Sequence, residues 1–206
     1  MRAQTSKRTD ARRNRGLILE AAKAAFERDG VHASLDEIAR SAGVGPATLY
    51  RHFPTREHLL CEVLHERQAV LLALRDEALA LPDAKSALYG WMTALGDYLG
   101  AFNGLPQPFI DAFEAQASPL AVTCRTLVAI TDEFLARAKA DGAARQSVCA
   151  PALFLSALGA AFVHDKAGRY GTTPEQVEAI QAFGYLTGHS AVDTSHSIRK
   201  TGAFHD

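Results

Sequence analysis

Apolar residues recur at spacings of three and four along almost all of the 206 residues, and runs of alternating β-branched residues are absent. This spacing aligns apolar side chains on one face of an α-helix, whereas a half-buried strand needs a period of two. No segment of 20–50 residues repeats, which argues against a solenoid. The pattern therefore predicts an all-α fold of about nine helices.

Composition predicts how these helices are grouped. Residues 1–54 are predicted to form a first domain, and it begins with a mobile arm over residues 1–10 because that segment is polar and has no apolar face. The first helix is expected to start near Ala11. Residues 55–190 are predicted to form a second helical domain, and the polar residues 191–206 are predicted to be a tail.

Charge differs between the two parts of the chain. Residues 1–56 contain 11 Lys and Arg against 6 Asp and Glu, whereas the rest of the chain contains 11 against 17. A basic front on an acidic body is typical of a protein whose front meets a polyanion. A solvated basic tail would give the same imbalance, so charge alone leaves both interpretations open.

Cysteine use and hydropathy predict the compartment. Cys61, Cys124 and Cys149 form no C-x-x-C pair, which is typical of a reducing cytosol and argues against a disulfide framework. The longest apolar stretches are far shorter than the ~18 residues that a membrane span needs. No apolar segment follows the basic N-terminus as a secretory signal would require. The chain is therefore predicted to be cytoplasmic, with no membrane partner.

Two short predicted helices joined by a glycine turn lie near the front of the chain. Ser34 and Glu37 form a capping box for the first of them, and Ala42-Gly43 ends it about two turns later. Gly45-Pro46 begins the second, because proline at the first helical position has no amide hydrogen to lose. This arrangement is typical of a helix-turn-helix, which sets its second helix across a DNA major groove. A generic turn inside a helical bundle is the alternative.

The second short helix carries groups that suit DNA. Arg51 can form a forked pair of hydrogen bonds with guanine or with a phosphate. Ala47 and the methyl group of Thr48 suit the thymine methyl group. Tyr50 and His52 can donate hydrogen bonds to phosphates.

A set of residues at fixed spacing runs through this region. It comprises Ile18-Leu19-Glu20-Ala21-Ala22, Phe26, Gly30, Ser34, Asp36-Glu37-Ile38-Ala39, Ala42-Gly43-Val44, Thr48-Leu49-Tyr50-Arg51-His52-Phe53-Pro54-Thr55-Arg56-Glu57 and Leu59-Leu60. With these residues, Ile18–Leu64 closely resembles the DNA-binding segment of the tetracycline-repressor (TetR) family of bacterial transcriptional regulators. The resemblance implies an N-terminal three-helix DNA-binding domain, a C-terminal ligand-binding and dimerisation domain, and a homodimer that binds a palindromic operator in double-stranded DNA. It further implies a ligand-responsive repressor with an unknown small-molecule effector.

The resemblance also assigns DNA contacts to particular positions. They are Ser34, Gly45, Pro46, Ala47, Thr48, Tyr50, Arg51, His52 and Arg56. Two of these depart from the family pattern: Gly45 stands where Ser or Thr is usual and offers no hydroxyl, and Arg56 replaces the commoner Lys but keeps its charge. Arg12, Arg13 and Arg15 lie near the start of the first helix and could add phosphate contacts.

An apolar helix late in the chain is the candidate dimer interface. Cys149–Val163 has one polar residue, Ser156, and a helix that is apolar all round must be covered on both sides. One side could face a second copy of the chain, although a central core helix inside one subunit would read the same way. The predicted interface consists of Phe154, Ala157, Leu158 and Ala161, with Val177, Ile180 and Gly184 on the last helix.

An aromatic stripe in the middle helices is the candidate effector pocket. The candidate pocket residues are Trp91, Leu95, Tyr98, Phe102 and Phe113. Trp91 and Tyr98 could orient an apolar ligand that has one or two polar groups. Such a stripe is more often part of an ordinary core than of a ligand pocket, and the ligand cannot be identified from it.

Other kinds of site find little support. His58, Cys61 and His65 share a face of the long helix, but three ligands spread over two turns of one helix rarely converge on one ion, so no metal or cofactor is predicted. No phosphate loop, G-x-S-x-G or H-E-x-x-H motif is present, so no enzyme is predicted. The remaining alternative is an all-helical ligand-binding protein or enzyme that has lost DNA binding, which a salt-dependent DNA-binding assay would distinguish.

Overall fold

The computed structural model describes residues 2–115, 118–170 and 173–187, and over these ranges the chain forms nine α-helices. They are α1 (Arg2–Asp29), α2 (Leu35–Ser41), α3 (Pro46–His52), α4 (Arg56–Leu79), α5 (Ala84–Leu99), α6 (Pro106–Glu114), α7 (Pro119–Ala140), α8 (Ala150–Tyr170) and α9 (Pro174–Tyr185). The same ranges contain no strand, and one isolated bridge joins Ala144 to Leu186. The predicted all-α fold is confirmed. None of the helices, as far as they are described, has the length and apolar character of a membrane span.

The first helix begins well before its predicted start. It runs from Arg2 rather than from about Ala11, so residues 2–10, which were expected to be a mobile arm, continue the helix. The segment from Arg2 to Arg15 contains no glycine and no proline, and its alanine, glutamine, lysine and arginine residues have good helix propensity. An apolar face was therefore not needed to extend α1. The predicted tail, 191–206, lies outside the described residues.

The first three helices pack around a small apolar core. Phe26 of α1, Ile38 of α2 and Leu49 of α3 are buried there, and Phe53 closes it after α3 ends. The core then continues without a break into the second part of the chain, because the buried residues of all these helices form one cluster.

Helix α1 lies along the first three turns of α4. Three exposed ion pairs join them: Arg15 to Glu62 at 2.6 Å, Lys23 to Glu66 at 3.2 Å and Arg67 to Glu27 at 4.0 Å. Pairs of this kind contribute little stability in water, so their value here is as markers of the helix alignment. The stabilising contribution comes from Leu59, Leu60, Val63 and Leu64 of α4, which are buried beneath them.

The second part of the chain is built around α5 and α7. Trp91 of α5 stacks on Phe134 of α7 with ring centroids 5.4 Å apart. The indole N–H of Trp91 donates to Thr131 Oγ1 at 2.9 Å, and the Thr131 hydroxyl donates to the carbonyl of Leu127 at 2.8 Å. The indole N–H and the Thr131 hydroxyl are therefore both hydrogen-bonded, which offsets the cost of burying them.

One arginine of α7 holds the far end of α4. Arg137 donates through Nη1 to the carbonyl of Leu79 at 3.1 Å and through Nη2 to those of Leu81 and Pro82 at 2.6 and 3.0 Å. Leu79 is the last residue of α4, and Leu81 and Pro82 follow it closely. The last carbonyls of a helix have no N–H donor within the helix and need one from outside it. The long helix is therefore attached to α7 at this end.

Candidate nucleic-acid interface

The short helix α3 presents most of its side chains to solvent. Of its seven residues, all of them described, only Leu49 is buried. Ala47 and Arg51 are exposed, and Tyr50 leaves 47% of its surface open. A large aromatic side chain exposed to this extent on a basic helix has no role in the core of the subunit. The outward presentation predicted from the sequence is present in the structure, and the DNA contacts themselves remain a prediction.

The turn before α3 has the backbone that its sequence predicts. Gly43 adopts a φ of 68°, a left-handed conformation that glycine accepts at no steric cost. Gly45 occupies the N-cap of α3 without a side-chain cap, and Pro46 takes the first helical position. Ser34 caps α2 by accepting from the amide of Glu37 at 3.4 Å. Because a hydroxyl both accepts and donates, the exposed Ser34 can still donate to a phosphate.

The arginines near α3 differ in how far they are engaged. Within the described part of the chain, Arg51 has neither a carboxylate partner nor an aromatic ring beneath it. Arg12 and Arg13 are also exposed. Arg15, in contrast, pairs with Glu62 and lies 5.4 Å above the ring of Phe53. Arg51 is therefore the α3 cation that is available to a polyanion.

Arg56 has a different position from the one expected of a phosphate contact. It is half-buried, and its Nη1 donates to the carbonyls of Val31 at 2.8 Å and of Ala33 at 2.6 Å. The guanidinium thus bonds the start of α4 to the loop between α1 and α2. The sequence could not reveal this, because backbone carbonyls 23 and 25 positions away leave no local signal.

The predicted dimer face of α8 is wrong. Phe154, Ala157, Leu158 and Ala161 are buried inside their own subunit and cannot contact a second copy. An all-round apolar helix gives no indication of which row faces inward, and neighbouring rows differ by a shift of one residue. Exposed positions on these helices include Leu155, Gly159, Phe162 and Val163 on α8 and Ile180 and Gly184 on α9, where Val177 is half-buried.

Most of the predicted effector pocket belongs to the core. Four of its five residues are buried, as the alternative interpretation of an ordinary core predicts. They are Trp91, Leu95, Tyr98 and Phe102. Phe113 is half-buried, and its ring lies 5.7 Å from that of Phe154.

An open groove lies between α6 and α7. It has a volume of about 470 Å³ and is lined by Ala112, Phe113, Ala121, Cys124 and Arg125. Phe113 is therefore the residue that the predicted pocket shares with this groove. The α7 residues were missed because their spacing is that of an ordinary amphipathic helix.

The cysteines and histidines do not combine into a site in the described part of the chain, where no three metal-ligating side chains lie together. His58 Nδ1 lies 3.0 Å from the hydroxyl of Thr55, the N-cap of α4. Burial raises the pKa of the Cys61 thiol to about 11, and burial likewise raises the pKa of Cys124 to about 11. Burial also raises the pKa of Tyr98.

These pKa shifts predict which thiols react. At about pH 8, an aromatic disulfide reagent should label the exposed Cys149 quickly and leave Cys61 and Cys124 unlabelled until the protein unfolds, because the thiolate is the nucleophile. A Cys149→Ser variant is the control and should lose the fast reaction. Fast labelling of more than one thiol in the folded wild type would contradict the expected protection of Cys61 and Cys124.

Comparison with known proteins identifies two matching regions. A family model described as bacterial regulatory proteins of the tetR family matches residues 18–63, which include α2 and α3. A second model, for the C-terminal domain of SbtR-like transcriptional regulators, matches residues 83–183. The HTH-type transcriptional regulator UidR of Escherichia coli strain K12 is 38% identical over 73 residues, which are 35% of this chain and 34% of UidR. The match therefore spans about a third of that relative's length.

Solved structures match over most of the chain. A TetR transcriptional regulator from Streptomyces coelicolor is 28% identical with a TM-score of 0.54, and the match covers 82% of this chain and 97% of that one. RolR, solved in complex with resorcinol, has the same fold at 21% identity, with a TM-score of 0.62 over 89% of this chain and 91% of RolR. The structural relationship thus extends through both matched regions.

Proposed function

The chain belongs to the TetR family of transcriptional regulators, and we propose that it binds a palindromic DNA operator as a homodimer and releases the operator when a small molecule binds its second domain. The observation that carries the proposal is the exposure of α3: this helix buries Leu49 and leaves Tyr50 and Arg51 open to solvent. The protein is a repressor, acts in the cytoplasm and is not an enzyme.

The proposed complex sets one α3 from each subunit in a major groove. The two half-sites are then ~34–36 Å, or a multiple of that, apart along the duplex. Arg51 contacts a guanine edge, Ala47 and Thr48 contact thymine methyl groups, and Tyr50 donates to a phosphate. The exposed hydroxyl of Ser34 adds a phosphate contact at the start of α2.

A DNA selection tests this function. Duplexes selected from a random pool by the wild-type protein are expected to contain a two-fold symmetric site. The affinity for the selected duplex should fall steeply as salt rises, because phosphate contacts release counterions. Failure to enrich any duplex, or an affinity that does not change with salt, would instead favour a helical ligand-binding protein without DNA binding.

The exposed apolar face of α8 and α9 supports the homodimer. Leu155, Phe162, Val163 and Ile180 are large apolar residues left open on these two helices. A contiguous apolar surface on one subunit is typical of a protein interface. Two-fold symmetry would pair this face with the same face of a second subunit, so that α8 and α9 of both subunits form a four-helix interface.

A single charge on this face should separate the subunits. Ile180 leaves 76% of its surface exposed in the subunit, so Ile180→Asp does not disturb the subunit core and places an unpaired carboxylate in the proposed interface. Light scattering after size exclusion is expected to give a monomer for this variant at concentrations where the wild type is a dimer. Val122→Asp is the control, because Val122 is 60% exposed on α7. A dimeric Ile180→Asp would exclude this face from the interface.

The groove between α6 and α7 is the proposed effector site. Phe113 offers an aromatic surface and Arg125 a cation at its edge, and the structural relative RolR carries a small aromatic ligand, resorcinol. Binding there is proposed to tilt α4 and change the distance between the two α3 helices, which shifts the population away from the DNA-binding state. An effector that releases DNA while this distance stays constant would disprove the mechanism.

A further inference from the structure

Two loops from different parts of the chain meet between the helix-turn-helix and the second domain. Residues 30–33 join α1 to α2, and residues 102–104 lie between α5 and α6. We propose that this contact, named here the interdomain junction, fixes the angle at which the helix-turn-helix is held, so that both α3 helices of a dimer fit one operator. The inference rests on the proposed function and assigns positioning residues outside the DNA-binding surface.

The junction is a backbone contact. The amide of Val31 donates to the carbonyl of Asn103 at 2.9 Å. Gly30 has a φ of 76°, and a Cβ at this position would lie 2.5 Å from the same carbonyl oxygen. No side chain fits there, so the close approach of the two loops requires glycine.

The second loop has a glycine of the same kind. Gly104 has a φ of 78°, and a Cβ there would lie 3.3 Å from the imidazole ring of His32 and from Cγ2 of Val31. Each loop therefore places a left-handed glycine against the other. Beside them the rings of Phe26 and Phe102 are 6.0 Å apart, which adds an apolar contact between α1 and the second loop.

The junction is linked directly to the helix-turn-helix. The carbonyls of Val31 and Ala33 accept from Arg56 at the start of α4, so residues 31–33 are bonded to the second loop on one side and to α4 on the other. Ala33 is followed immediately by Ser34, the N-cap of α2. A shift of the second loop must therefore move the start of α2, and α3 with it.

The link matters because a dimer binds two half-sites at once. If the angle of one helix-turn-helix is wrong, a single half-site can still bind, but both cannot bind together and the gain from linkage is lost. Junction residues should thus affect the ratio of affinities for a full operator and a half-operator. A residue that only stabilises the fold would change both affinities together.

Valine and alanine substitutions at Gly104 test the proposal. Gly142→Val is the matched control, because Gly142 has a φ of 71° but a Cβ there would meet nothing within 4 Å. Both glycines carry the same backbone strain, and Gly104 also carries the contact with His32. Affinities are measured for a duplex selected by the wild-type protein and for the same duplex with one half-site scrambled.

We expect Gly104→Val to lower the ratio of full-site to half-site affinity by about tenfold or more. Gly104→Ala should lower it in the same direction, which keeps the test valid if the valine variant does not fold. Gly142→Val should leave the ratio within tenfold of the wild type. The proposal is overturned if the ratio in the folded Gly104 variants is no lower than the ratio in Gly142→Val.

Hydrogen exchange provides a readout that needs no DNA. The amide of Val31 should be protected in the wild type and in Gly142→Val, and should lose protection in the Gly104 variants. An unprotected Val31 amide in the wild type overturns the junction itself. If the amide is protected but no duplex is ever bound, the proposed function has failed and the positioning role falls with it.

Discussion

An Arg51→Ala variant is expected to lose ~1–3 kcal/mol of discrimination at one base pair of the operator. Arg51 is exposed on α3 and, in the part of the chain that is described, has no carboxylate partner that would hold its guanidinium away from DNA. Without Arg51, the O6 and N7 acceptors of the guanine lose the two N–H donors that the guanidinium supplies. The measurement compares wild type and variant on the selected duplex and on its single-base variants.

The pattern of loss identifies the kind of contact. Loss at one position assigns Arg51 to a base, whereas an equal loss on every duplex makes it a phosphate contact. Lys139→Ala is the charge control, since it removes one positive charge from α7 at a residue outside both the proposed DNA-binding surface and the proposed effector site. Unchanged affinity and discrimination in Arg51→Ala would remove this residue from the DNA-binding surface.

A Trp91→Ala variant is expected to reduce the free energy of unfolding by ~3–5 kcal/mol. Trp91 is fully buried, stacks on Phe134 and donates to Thr131. Removing it creates a large cavity and takes a hydrogen bond from a buried hydroxyl. Urea unfolding followed by far-ultraviolet circular dichroism measures the effect, at one fixed protein concentration because association shifts apparent stability.

The phenylalanine variant is the control for this prediction. Trp91→Phe keeps an aromatic ring against Phe134 and lacks the indole N–H, while Thr131 can still donate to Leu127. Its loss should therefore be clearly smaller than that of Trp91→Ala. A loss below ~1 kcal/mol in Trp91→Ala would show a site that tolerates an empty volume, as a ligand pocket does, and would contradict the core role.

The sequence predicts local structure well where a short stretch contains the whole cause. The caps at Ser34 and Gly45 and the left-handed turn at Gly43 each depend on residues within one or two turns. The burial of Leu49 follows from the same local spacing. These features define the helix-turn-helix, and for that reason the candidate DNA surface is predictable from the sequence.

The errors share a different cause. The inward row of α8 depends on α5, α6 and α7, and the partners of Arg56 are carbonyls of a distant loop. The predicted start of α1 depended on an apolar face, yet propensity and attachment to a packed helix were sufficient to extend it. The inward row of α8 and the partners of Arg56 are set by tertiary neighbours, which a single sequence does not identify.

The alignment of α1 with α4 has a consequence for protein engineering. The apolar core beneath the helix-turn-helix is completed by Leu59, Leu60, Val63 and Leu64, which all belong to the long helix. A chimera that transplants DNA specificity onto another effector scaffold must therefore be spliced after Leu64. A splice after Pro54 would remove the part of the hydrophobic surface under α1 that the long helix supplies.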